Sequence, residues 1–100
     1  MKGLEKYSSD ISKLCAAHKV KRLYVFGSVL TPQFNSSSDV DFIVDFETID
    51  LSQYADNYYD LKFSLQDILH RNIDLLEEKA IKNPYFLKSI IAKRQLVYGH

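Results

Sequence analysis

From Leu4 to His18 the apolar residues Leu4, Tyr7, Ile11, Leu14 and Cys15 recur at steps of mostly three or four, the spacing that lays one buried stripe along an amphipathic helix. At Val20 the period changes. Leu23-Tyr24-Val25-Phe26 is a β-branched and aromatic run broken by Gly27-Ser28, which predicts a strand from Val20 to Phe26 feeding a turn. Thr31 to Ser38 holds Pro32, Asn35 and three consecutive serines; it neither stripes nor alternates, and reads as a loop. Val40-Asp41-Phe42-Ile43-Val44-Asp45-Phe46 is again strand-like, and apolar enough to lie centrally in a sheet.

Between Leu51 and His70 the helical period returns in Tyr54, Tyr58, Leu61, Leu65 and Ile68 or Leu69, with Asp56, Asp60, Lys62 and Gln66 on the other side, so a long helix is expected there. Asn72 and Ile73-Asp74-Leu75-Leu76 read as a third, short strand. Asn83-Pro84 is an N-cap followed by proline at the first helical position. A last helix is expected to bury Phe86, Leu87, Ile90, Ile91 and Leu96 and to end at Gly99. The order helix, strand, strand, helix, strand, helix predicts an α/β domain with a small mixed sheet. With 100 residues there is room for one core, so residues 1–100 are expected to form a single domain.

Composition narrows the function. Lys plus Arg and Asp plus Glu both number 13, so no global field gathers nucleic acid, which argues against a nucleic-acid partner. The basic runs at Lys19, Lys21 and Arg22 and at Lys88, Lys93 and Arg94 read as solvated faces. The lone Cys15 sits in an apolar helical pattern as a core residue, without a disulfide or thiolate metal site. No long apolar stretch follows Met1, so neither a signal peptide nor a membrane span is expected, and the protein is placed in the cytoplasm. A content of 46% hydrophobic and 13% aromatic residues is generous for a small interior. It predicts an exposed apolar patch for association, with a partner protein or with further copies of the chain, and Tyr58, Tyr59, Tyr85 and Phe86 are its candidates. His18, His70 and His100 are scattered and read as helix-end or surface residues.

The chemistry centres on Asp39 and Asp41. Two apart on a strand, they would project from one face with Cα atoms about 6 to 7 Å apart, close enough to hold one ion. Hard oxygen ligands with no histidine or cysteine beside them suit magnesium on a phosphate rather than zinc. Asp74 alternates with Ile73 and Leu75 and is a candidate third carboxylate; which face of the sheet it shares is left open by the sequence. Gly27-Ser28, just after a strand, offers backbone amides and a hydroxyl to a phosphate. Asp45, Glu47 and Asp50 read as solvated or structural.

The succession of strand, Gly27-Ser28, a loop and then Ser38-Asp39-Val40-Asp41 opening an apolar strand resembles the signature of the nucleotidyltransferase superfamily that includes DNA polymerase β. The short length, the Phe26-Gly27-Ser28 form and the later Asp74 resemble in particular the minimal nucleotidyltransferases of prokaryotes, often antitoxins paired with a helical HEPN-family toxin. The resemblance implies a nucleotidyltransferase fold, with a mixed sheet of about three or four strands packed against helices. It implies Asp39, Asp41 and Asp74 as catalytic, metal-binding carboxylates, Asp74 acting toward the acceptor, and Gly27, Ser28 and Ser38 as nucleotide-binding residues. It further implies two Mg2+ ions, ATP as the substrate, and transfer of AMP to a protein acceptor such as a HEPN toxin, with release of pyrophosphate. One departure stands out: where the family often carries basic residues after Gly-Ser, Val29-Leu30-Thr31-Pro32-Gln33-Phe34 is uncharged. Either a lysine or arginine from elsewhere supplies the phosphate contact, or the chain is a binding module of the same fold that neutralises its partner by occlusion.

Overall fold

The computed structural model describes residues 4–33, 35 and 37–99, with the side chains of Ser28 and Val29 outside the description. Three α-helices and four strands are formed among them: α1 Ser8–Ala17, β1 Val20–Phe26, β2 Val40–Phe46, α2 Leu51–Leu69, β3 Ile73–Glu77, α3 Pro84–Lys93 and β4 Gln95–Tyr98. The strands make one mixed sheet in the order β3-β2-β1-β4. β1 runs antiparallel to β2 and β4, while β2 and β3 are parallel. A parallel pair cannot be joined by a tight turn, and α2 is the crossover that links it.

Strand alternation divides the sheet into two unlike faces. Leu23, Val25, Val40, Phe42, Val44, Ile73 and Leu75 point to one side and pack with Ile11 and Cys15 of α1 and Leu61, Leu65 and Leu69 of α2 in a single core. Burial pushes the Cys15 thiol up to about 12, so it is an inert core residue as its pattern predicts. The intervening positions, Tyr24, Phe26, Asp41, Ile43, Asp45, Asp74 and Leu76, therefore line the other face. There the Arg94 guanidinium lies 3.8 Å from the centre of the Tyr24 ring and pairs with Glu78.

The fourth strand corrects the reading of the C-terminal segment. The last helix ends at Lys93 rather than Gly99, and Leu96 belongs to β4, paired opposite Tyr24 of β1. Without it β1 would present a bare row of backbone groups, and pairing that edge outweighs continuation of the helix. Gly99 has a φ of 100° and passes so close to β1 that a Cβ would sit 2.3 Å from the Lys21 carbonyl oxygen. On α3 only Ile90 is buried; Phe86 and Ile91, expected inside, are exposed, as is Leu96. The Asn83 cap forms as predicted, its side chain accepting from the backbone N–H groups of Tyr85 and Phe86.

Of the two roles expected for Asp45, solvated or structural, it takes the structural one: it is buried, with Oδ2 accepting from Arg22 at 3.4 Å and Lys79 3.6 Å from Oδ1. Arg22 thereby leaves the solvated basic run to neutralise a carboxylate that the β2 alternation carries into a half-covered face. Of the candidate patch residues, Tyr59, Tyr85 and Phe86 are exposed, Tyr59 stacking on exposed Phe63, and Tyr58 is half-buried with its hydroxyl donating to the Leu75 carbonyl. His18 and His70 lie at the C-terminal ends of α1 and α2; His100 and Phe34 lie outside the described residues. Among the described residues, no helix is long and apolar enough to cross a membrane.

Candidate active site

Asp41 and Asp74 are direct partners in the parallel β2–β3 register, flanked by the partnered pairs Val40 with Ile73 and Phe42 with Leu75. All four flanking residues are buried in the core. Burying them on one side sends both aspartates to the other, which settles the face that Asp74 occupies. The Asp74 carboxyl is near enough to Asp41 to act on it by charge and hydrogen bonding. The Asp41 carboxyl is raised from its ordinary value. Burial is the largest cause, followed by the charge and hydrogen bond of Asp74 and the charge of Asp39. Asp39 itself is exposed and lies just before β2, which begins at Val40, rather than within the strand.

Gly27 closes in on this group from β1. Phe26 is the register partner of Asp41, and the next residue turns with a φ of 78° into a short 3-10 turn, Gly27–Leu30. A Cβ at Gly27 would stand 2.5 Å from Asp41 Oδ2, so the turn backbone is held against the carboxylate at a distance only glycine allows. The side chain of Ser28, expected to contact phosphate, lies outside the described residues. Ser38 is half-buried, and its hydroxyl accepts from the Asn35 N–H at 3.1 Å.

The structure adds a residue that the sequence reading passed over. Arg71, directly before β3, donates from Nη1 to the Asn35 carbonyl at 3.1 Å and to the Ser38 carbonyl at 2.8 Å. Its position beside a strand bearing a candidate carboxylate was visible in the sequence; its reach to acceptors 33 and 36 residues away was not.

Among the described residues, no group of three or more His, Cys, Asp and Glu side chains is already gathered around one point. The donor set is instead the Asp41–Asp74 pair with Asp39 near enough to raise Asp41. All its donors are oxygens, it carries surplus negative charge, and the Gly27 backbone rather than a side chain borders it. Those properties fit a hard divalent cation that keeps water or phosphate in part of its shell. The carboxylates lie at the starts of β2 and β3, on the face opposite the core. A hollow of about 450 Å3 lined by Phe46, Thr48, Leu51, Tyr54, Glu77 and Lys79 lies at the far ends of the same strands.

Residues 9–100 match the family model described as polymerase beta, nucleotidyltransferase. A protein of Methanocaldococcus jannaschii that carries the provisional name protein adenylyltransferase is 38% identical over 82 residues, spanning 81% of this chain and 78% of that protein. A solved minimal nucleotidyltransferase, also provisionally named, has a TM-score of 0.77 at 26% identity, covering 92% of this chain and 90% of that one. The fold also recurs in a solved complex of a tri-AMPylated Shewanella oneidensis HEPN toxin with an MNT antitoxin. There the TM-score is 0.66 at 19% identity, over 96% of this chain and 72% of that one. The match over residues 9–100, together with the pairing of Asp41 and Asp74 beside Gly27, establishes that this chain belongs to the polymerase β type nucleotidyltransferase family.

Proposed function

We propose that this chain is a magnesium-dependent protein adenylyltransferase that moves AMP from ATP onto a hydroxyl of a HEPN-family toxin and so acts as its antitoxin. The observation that carries the reading is the pairing of Asp41 with Asp74 beside the Gly27 turn. The provisional name of the Methanocaldococcus jannaschii relative supports the adenylyl group. The AMPylated HEPN toxin in the structurally similar complex supports the acceptor.

In this reading Asp39 and Asp41, with Asp74, hold Mg2+, and the Gly27–Leu30 turn and Ser38 face the triphosphate. Bound there, the metal supplies charge neutralisation for the phosphates of ATP. Asp74 orients the acceptor hydroxyl and takes its proton as the oxygen bonds to the α-phosphorus. The bond from that phosphorus to the bridging oxygen breaks, and pyrophosphate leaves. Most of the rate gain comes from alignment and charge stabilisation, as suits a site on an open sheet face.

A second reading, a binding module that neutralises its partner without chemistry, is favoured by the uncharged run from Val29 to Phe34. Mass spectrometry of the partner after incubation with ATP and magnesium separates the two. Transfer predicts an AMP adduct that disappears with Asp41→Asn. Neutralisation without a mass change, equally by both proteins, would establish the binding module.

A further inference from the structure

We propose that Arg71 is the positioning residue that sets Asp39 against the Asp41–Asp74 pair and thereby governs divalent-cation affinity; this rests on the assignment of those carboxylates as the metal site. Asp39 sits between two peptide groups, and both are anchored by consecutive residues at the start of β3. The Ser38 carbonyl, on the peptide that enters Asp39, accepts from Arg71 Nη1 at 2.8 Å. The Val40 N–H, on the peptide that leaves Asp39, donates to the Asn72 carbonyl at 3.2 Å. Fixing the peptide plane on each side of a residue fixes its φ and ψ, and hence the direction of its Cβ.

The loop before Asp39 is organised around the same contact. Asn35 and Ser38 close a turn through the Ser38 N–H to the Asn35 carbonyl at 3.0 Å, and that carbonyl also accepts from Arg71 at 3.1 Å. Asn35 Oδ1 accepts from the Ser37 N–H at 2.9 Å, which stiffens the turn from inside. The Asn72 half of the clamp is backbone and survives any substitution. The Arg71 half is a side chain, through which this loop is tied to the strand that carries Asp74. Outer-shell contacts of this kind orient metal-ligating carboxylates, and their loss commonly weakens metal binding 10- to 100-fold.

Both carbonyls are reached from one nitrogen, Nη1. An ammonium has three donors at a single point and can replace it, whereas a thioether of similar length cannot. The test is Mn2+ binding, read from loss of the free-ion electron paramagnetic resonance signal, for wild type, Arg71→Met and Arg71→Lys without nucleotide. Circular dichroism melting runs in parallel. Expected is a dissociation constant about tenfold higher for Arg71→Met, with Arg71→Lys restored to within about threefold of wild type and all three cooperatively folded. Equal Mn2+ affinity in wild type and Arg71→Met would overturn the proposal. So would equal losses in the Met and Lys variants, because a merely structural arginine would not be rescued by a point donor. AMP transfer is measured separately. If wild type transfers nothing yet the Mn2+ difference persists, the adenylyltransferase reading fails and the role of Arg71 stands.

Discussion

Asp41 on β2 and Asp74 on β3 face each other in register, and burial, with the neighbouring Asp74 carboxyl next in weight, raises the Asp41 carboxyl above its ordinary value. The raised Asp41 value makes the folded state bind a proton that the unfolded chain releases at lower pH. Its linkage therefore lowers stability as pH rises from the ordinary carboxylate range through the raised value. Asp41→Asn removes that cost. Without divalent cations and at neutral pH the variant is expected to melt higher than wild type. The difference should shrink on acidification; a variant that melts lower than wild type at neutral pH contradicts this account.

Divalent cations should act at the same carboxylate pair. A ligand that binds only the folded state at a hundred times its Kd adds ~2.7 kcal/mol. Saturating Mg2+ is thus expected to raise the melting temperature of wild type and to do little for Asp41→Asn. Calorimetry with Mg2+ against EDTA measures both, and equal shifts in the two proteins would place the binding elsewhere.

Asp74 divides from Asp41 in its effect on turnover. In the proposed transfer Asp74 acts toward the acceptor hydroxyl, so Asp74→Asn is expected to slow AMP transfer at least ~100-fold, in the range general-base losses take. Nucleotide affinity, measured by titration calorimetry, should change little. A variant that loses ATP binding in proportion to its rate would move Asp74 to the nucleotide side of the site.

Gly27 admits no side chain. With a φ of 78° and a Cβ position 2.5 Å from Asp41 Oδ2, Gly27→Ala incurs ~1–2 kcal/mol for the left-handed backbone and must also displace the carboxylate. Expected are a lower melting temperature and weakened Mn2+ binding together. Retention of wild-type metal affinity would show that Asp41 has room to retreat.

The local elements were legible in short stretches of the chain: the helical stripe through Leu61 and Leu65, the strands ending at Phe26 and opening at Val40, the Asn83 cap, and the alternation of Asp74 with Ile73 and Leu75. Each is legible because helix and strand periods are properties of neighbouring residues. Whether Asp74 meets Asp41 was decided only by the β2–β3 register, which follows from burying Val40 with Ile73 and Phe42 with Leu75. Leu96 became part of a strand because β1 had an open edge to pair, and Asp45 was buried because the face carrying Asp41 continues beneath Arg22 and Lys79. Arg71 acquired its part from carbonyls more than thirty residues away. Pairing, register and long-range hydrogen bonds join residues that no local period connects, so the carboxylates were visible in the sequence while their assembly required the folded chain.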